Sequence, residues 1–179
     1  SGGTGLIVRH GKVAYSETWG YQDIESQKAM PDDAIFRIYS MSKAITGVAV
    51  MMLHEEGHFF LTDPVSKYLP EYKDMTVVDD NGTTKDAENE ITIRDLMMHT
   101  AGINYGSGNS GAFYRDAGVR TPGGNLEDFS NALGTVPLEF EPGTEWEYGF
   151  SIDVLGRLVE VISGKTFDVF LDERIFTPL

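Results

Sequence analysis

Phe36-Arg37-Ile38-Tyr39-Ser40-Met41-Ser42-Lys43-Ala44-Ile45-Thr46 is the stretch on which the reading of this chain turns. Ile35 to Ile38 reads as extended. From Ser40 the pattern becomes helical, with Met41, Ala44, Ile45, Val48, Ala49, Met52 and Leu53 recurring at helical spacing until Gly57 offers a stop. That helix is apolar over most of its circumference, which predicts that it lies deep in the protein. It also opens with the only Ser-x-x-Lys of the sequence. Positions i and i+3 share a helical face, so the Ser40 hydroxyl and the Lys43 amine can meet. At the start of a buried helix, unpaired N–H groups and the dipole favour negative charge at Ser40. Burial disfavours the ammonium form of Lys43 and prepares it to accept the Ser40 proton. A plainer account stands beside this one. A chain of this length shows about one Ser-x-x-Lys by chance, and Ser at a helix start is a good N-cap.

Upstream of this stretch, Leu6–Arg9 and Val13–Ser16 read as two short strands joined at His10-Gly11-Lys12. Trp19-Gly20 closes the second strand, and a polar loop runs to Met30-Pro31. Downstream, Thr62-Asp63-Pro64 reads as a helix start and Tyr68-Leu69-Pro70 as its end. Glu71 to Glu90 carries seven acidic and two basic residues around Asp80-Asn81-Gly82, and predicts an exposed hairpin or loop. Thr92 and Asp95 have capping-box spacing and open a helix through Leu96-Met97-Met98. Ala101 to Asn125 is glycine-rich and irregular, a length of loop that tends to line a site. A helix at Leu126–Leu133, a turn at Pro142-Gly143, an amphipathic helix from Ser151 to Ile162 and a last helix from Phe167 to Ile175, capped by Thr166, complete the reading.

The chain has 179 residues, enough for one ordinary domain or a piece of something larger. With 41% hydrophobic and 23% charged residues it can bury a core. No run of about 18 apolar residues is present, so no membrane-spanning helix is expected. Fourteen Lys and Arg against 28 Asp and Glu leave a net charge of −14, a surface that a phosphate backbone repels, so nucleic acid is not expected as a partner. Without cysteine there are no disulfides, thiolate metal sites or cysteine nucleophiles. Ser1-Gly2-Gly3-Thr4-Gly5 lacks the regions of a signal peptide, but the expected truncation of the N-terminus takes the weight from that absence and leaves the compartment open, with the cytoplasm favoured.

The Ser40 segment, set in these surroundings, closely resembles the nucleophile segment of the serine β-lactamase-like superfamily, most of all class C β-lactamases and family VIII carboxylesterases. Leu61-Thr62-Asp63-Pro64-Val65-Ser66-Lys67-Tyr68-Leu69-Pro70 is similar to the family's next segment. Ile91-Thr92-Ile93-Arg94-Asp95-Leu96-Met97-Met98-His99-Thr100-Ala101-Gly102 matches another hallmark, and Pro142-Gly143-Thr144-Glu145-Trp146-Glu147-Tyr148-Gly149 resembles the approach to the second catalytic motif. The resemblance implies an α/β fold, an antiparallel sheet flanked by helices plus a largely helical region, incomplete in this chain. It implies Ser40 as acylated nucleophile, Lys43 as its base or the base's partner, and Tyr148 as the second-motif tyrosine that relays the proton to the leaving group. A phenol beside an ammonium has a depressed pKa, so the chemistry is coherent. Taken without the family, Tyr148 is an aromatic beside Trp146, of a kind more common in cores and interfaces.

One departure tilts the expected substrate. The family's β-lactamases read Tyr-x-Asn where this chain has Tyr148-Gly149-Phe150, and Phe150 cannot hydrogen-bond. An apolar residue there suits part of an ester, so the expectation is a carboxylesterase acting on a small-molecule ester, with β-lactamase or D-Ala peptidase activity as the alternative. Ser151 follows as a partial substitute for the Asn, or as the cap of the next helix. Tyr105, Phe113, Tyr114 and Phe150 are the expected acyl-pocket walls. The family's third motif has no counterpart after Tyr148, and a lone hairpin needs further strands or helices. We therefore expect an N-terminal half: 1–61 as part of the sheet domain with the nucleophile helix, 62–179 as a mostly helical region. The remaining C-terminal half of the domain, as a second chain if necessary, is then a required partner, and the fragment alone is expected to be inactive. No cofactor or metal is required.

Two other classes compete. His54-Glu55-Glu56-Gly57-His58 is a literal His-Glu-x-x-His, the spacing of zinc peptidases. The continuation Phe59-Phe60-Leu61-Thr62-Asp63-Pro64 supplies no third ligand, and Gly57 suits a helix end that takes His58 out of register. Asp79-Asp80-Asn81-Gly82 with Glu88 partly mimics a calcium loop, but Val77 and Lys85 stand at ligand positions. A catalytically silent binding module on the same fold is the remaining possibility. His10 falls in a turn, and His99 ends a helix, where it is expected to hold the following loop.

Overall fold

His10 and Gly11 both take the left-handed conformation, φ 50° and 70°, in a computed structural model of the chain that describes residues 1–121 and 123–179. Two such residues in succession make the tight turn whose twist suits paired strands. β1 (Gly2–Arg9) and β2 (Lys12–Asp23) run antiparallel from it, with Leu6 opposite Ser16, Gly2 opposite Gly20 and a bulge between Ile7 and Val8. Both strands are longer than their apolar cores at 6–9 and 13–16 predicted. The Trp19 ring lies over Gly3 and Gly5, which lets the glycine-rich start join the ladder under aromatic cover. A third strand, β3 (Lys28–Ala29), pairs with β2 inside the expected polar loop, and Ile35–Ile38 joins no ladder. Residues 1–39 form one compact unit, and none of them is buried.

Residues 40–179 form the second unit. Ser40 lies in a 3₁₀ turn, Tyr39–Met41, ahead of α1 (Ser42–Glu55), so the helix begins two residues later than expected. α1 is not deeply buried. Thr46, Ala49, Val50 and Leu53 are covered, but Val48 is 52% exposed. The central place belongs to α5 (Ser151–Ser163), whose Val154, Leu155, Leu158 and Val159 have no exposure. Around it pack α1, α2 (Ile93–Met98), α4 (Leu126–Leu133) and α6 (Phe167–Leu171). Apolarity all round a helix permits burial on every side, but the number of neighbours decides how much is realised.

The capping box of α2 forms as predicted: the Asp95 N–H donates to the Thr92 hydroxyl at 3.1 Å and the Thr92 N–H to the Asp95 carboxylate at 3.0 Å. Asn125 and Asp128 cap α4 in the same manner. The acidic stretch is a hairpin of β4 (Thr76–Val78) and β5 (Thr84–Asp86), with Val77 and Val78 buried rather than wholly exposed. Four expectations fail. The helix read from Thr62 is a single 3₁₀ turn, Val65–Lys67, since Asp63 accepts from Lys67 at 2.9 Å and from the Tyr68 hydroxyl at 2.7 Å, closing the turn on itself. The glycine-rich loop contains a helix, α3 (Gly111–Asp116). The last helix stops at Leu171 and widens into a π turn, Asp172–Phe176. Thr166 makes no side-chain cap on α6. Among the described residues the fold is α/β, with small antiparallel sheets and six α-helices, none long and apolar enough to cross a membrane.

Candidate active site

Tyr39, a non-glycine at φ 46°, directly precedes Ser40. Such a backbone costs about 1–3 kcal/mol and is commonly retained at functional sites. One helical turn on, the Lys43 Nζ donates to the Tyr105 hydroxyl at 2.9 Å and stands 4.9 Å from the centre of the Tyr148 ring. Burial pulls the Lys43 pKa down, but the Tyr105 and Tyr148 hydroxyls outweigh it and leave it raised. That corrects the expectation of an amine driven toward neutrality, because hydroxyl dipoles facing the ammonium replace the water it loses. Tyr148 moves the opposite way. The Ser40 hydroxyl and then Lys43 hold its phenol below the ordinary value. Ser40 and Lys43, one helical turn apart, thus share one locus with Tyr148 from far downstream, where an amine with a raised pKa stands beside a phenol with a lowered one.

Tyr148 owes its place to the end of α2. His99 closes that helix in the left-handed conformation, φ 58°. Its carbonyl accepts from the Glu147 N–H at 3.0 Å and its Nδ1 from the Gly149 N–H at 3.4 Å, so it grips the chain on both sides of Tyr148. The two rings lie 4.8 Å apart. Burial, and then the Lys43 charge, push the His99 pKa down, so the ring is neutral with its proton on Nε2. Gly149 is required there: a Cβ would stand 2.3 Å from the Ile103 carbonyl oxygen.

The expected pocket walls divide. Phe150 meets the Tyr105 ring edge-on at 4.6 Å and Phe129 at 5.3 Å, and Phe150 and Phe113 are each partly buried against the core. Tyr114 is only 5% exposed, and its hydroxyl accepts from the Asn104 N–H at 3.1 Å. Tyr105 and Tyr114 both line a cavity of about 490 Å³. The loop that carries them is pinned from within. The buried Asn104 amide donates to Ser110 and Glu139, and Glu139 accepts from the Asn109 and Ser110 N–H groups. Burial opposes the charge of Glu139, but these hydrogen bonds keep its pKa below the ordinary value.

A family model described as Beta-lactamase matches residues 1–179. The chain belongs to the β-lactamase family. It is 37% identical to Protein Rv1367c of Mycobacterium tuberculosis and 32% identical to Esterase EstB of Burkholderia gladioli, in each case over 99% of this chain and 45% of the relative. Among solved structures it is similar to EstCE1, described as a hydrolase with promiscuous acyltransferase activity, with 32% identity and a TM-score of 0.81 over 99% of this chain and 46% of that one. The chain therefore spans less than half the length of these relatives.

Ser151 neither caps α5 nor replaces the missing Asn; it is fully buried, and its hydroxyl has no partner among the described residues. Gly57, at φ 82°, ends the helix before His58, as its C-cap reading predicts. His54 Nδ1 is 2.9 Å from the Phe59 carbonyl and His58 pairs with Glu56 at 3.4 Å, so the two imidazoles do not converge. Among the described residues no cluster of His, Asp and Glu is arranged to hold a metal. In the acidic turn, Asp79 accepts from the Asn81 and Thr83 N–H groups at 2.9 and 2.8 Å, the work of an Asx turn. Sequence reasoning missed Tyr105 as the partner of Lys43, and missed Asp153, whose carboxyl burial pushes up while the Lys43 charge pulls it down. Tyr105 sits in an irregular loop with no periodicity to announce it. Asp153 has a weak signal, an acid in the first turn of an apolar helix.

Proposed function

We propose that this chain carries the nucleophile and the proton relay of a serine hydrolase acting on carboxylic esters. The observation that carries this is the placement of Ser40 and the Lys43 ammonium against Tyr148, whose phenol both draw toward ionisation. Tyr148 takes the Ser40 proton as Oγ attacks the ester carbonyl, and a tetrahedral oxyanion forms. Collapse breaks the bond to the alcohol, which leaves with the proton from Tyr148, and an acyl-enzyme remains on Ser40. Water then attacks with Tyr148 as base, releasing the acid and restoring the hydroxyl. Lys43 keeps its proton throughout and stabilises the phenolate, the base's partner rather than the base. The Ser40 N–H is one oxyanion donor. The second belongs to the larger protein implied by relatives twice as long, so the 179 residues alone are expected to be inactive.

The name Esterase EstB supports an ester substrate and the description of EstCE1 as a hydrolase with acyltransferase activity supports acyl transfer, while Phe150 in place of Asn supports an ester over a β-lactam. The test is fluorophosphonate labelling of the full-length protein, with the adduct located by mass spectrometry. Labelling at Ser40, its loss in Ser40→Ala, and a fall of about a hundredfold or more in ester turnover in Tyr148→Phe are expected. An adduct elsewhere, or turnover abolished by a chelator, overturns the proposal.

A further inference from the structure

The cavity beside the site has an unusual charge. Its lining holds Tyr105, Tyr114, Arg115 and Arg120, the rest being glycine and Thr121, with no acidic residue among them. Acidic residues outnumber basic ones 28 to 14 in this chain, and Lys67, Lys73, Lys85, Arg157, Lys165 and Arg174 each pair with a carboxylate. Among the described residues the other eight basic side chains do not, and two of these eight, Arg115 and Arg120, line this one cavity. Arg115 donates to the Gly111 carbonyl at 3.1 Å. Arg120 donates to the Tyr105 carbonyl, and its guanidinium lies 5.8 Å from the Tyr105 ring centre and 5.2 Å from that of Phe150.

These contacts hold the Arg120 guanidinium by one N–H and by its face, leaving most of its five donors free. A planar fork of that kind matches a carboxylate with two parallel hydrogen bonds. The wall it stands on continues into the site, since the Tyr105 hydroxyl accepts from Lys43. In a protein whose net charge repels anions, a pre-positioned pair of arginines on one cavity makes a local exception.

We propose that this cavity binds a carboxylate, so that the preferred ester carries a free carboxylate at the end remote from the bond that is cleaved, as in the monoester of a short dicarboxylic acid. The proposal rests on the serine-esterase reading for its substrate, though not for the capture of the anion itself.

The test uses the full-length protein with two substrates: the p-nitrophenyl monoester of glutaric acid, and the same compound with its free carboxylate capped as a methyl ester. The wild type is expected to favour the anionic ester in kcat/KM by about tenfold, mostly through KM, the effect of one charge-assisted hydrogen bond. Arg120→Gln is expected to erase the preference and Arg120→Lys to keep part of it. Arg115→Gln, which leaves the Tyr105 contacts in place, is expected to lower it as well. A preference for the capped ester, or a ratio untouched by Arg120→Gln, overturns the proposal. If neither ester is cleaved, the esterase reading fails by itself, and calorimetric titration with glutarate decides the inference. Binding weakened about tenfold by Arg120→Gln supports it; no binding, or equal binding, overturns it.

Discussion

Residues 1–39 and residues 40–179 treat apolar side chains in opposite ways. On the hairpin, Leu6, Ile7, Val8, Val13, Tyr15, Trp19 and Tyr21 are all exposed. In the helical unit, Val154, Leu155, Leu158 and Val159 are wholly removed from water around α5. Successive strand residues point to opposite faces, so Leu6-Ile7-Val8 makes both faces of β1 apolar, the composition of a strand covered on both sides. A turn and a ladder set the register of such a ribbon, but they do not bury it. Burial needs several elements closing on one another, and the second unit has them.

The largest test of this contrast is a pair of truncations. In the 179-residue chain, Leu155→Ala is expected to cost about 2–5 kcal/mol of stability in urea unfolding, whereas Leu6→Ala costs at most about 0.5 kcal/mol. Amide exchange should follow the same division, with α5 protected and β1 exchanging fast. Equal losses at the two positions would erase the distinction.

Gly149→Ala sharpens the picture within the second unit, since its methyl group meets backbone and not a side chain that can turn away. A loss of about 1–3 kcal/mol is expected, with a fall in ester turnover in the full-length protein larger than the loss of folded protein explains. Turnover that simply tracks the folded fraction would remove Gly149 from the positioning of Tyr148.

The smallest effect is one of pH. His99 is held neutral, so its folded pKa lies below the ordinary 6.5. The unfolded chain then binds the proton more readily, and the stabilisation is complete above pH about 6.5 and is lost as pH falls toward the lowered folded value. A melting temperature that declines over that window in the wild type, and less in His99→Gln, is the expected result. The same decline in both locates the titration elsewhere.

The α2 capping box, the His10-Gly11 turn, the stop at Gly57 and the span of α4 were legible because each depends on residues within a few positions of one another. The Ser40, Lys43 and Tyr148 segments were legible through their resemblance to a family, not through periodicity. The depth of α1, the helix inside the glycine-rich loop and the early end of α6 were misread. Each depends on what packs alongside, which no local pattern contains.

Chain order alone settled which hydroxyl and which amine lie one helical turn apart, where the turns fall, and that the charge is strongly acidic. Folding decided the rest. It brought Tyr105 onto Lys43, set His99 to hold the backbone around Tyr148, and left two arginines without carboxylates on one cavity. It also turned the expected downward shift of the Lys43 pKa into an upward one. A pKa answers to the dipoles and charges within a few ångströms, and those neighbours come from residues about 60 and 100 positions away along the chain.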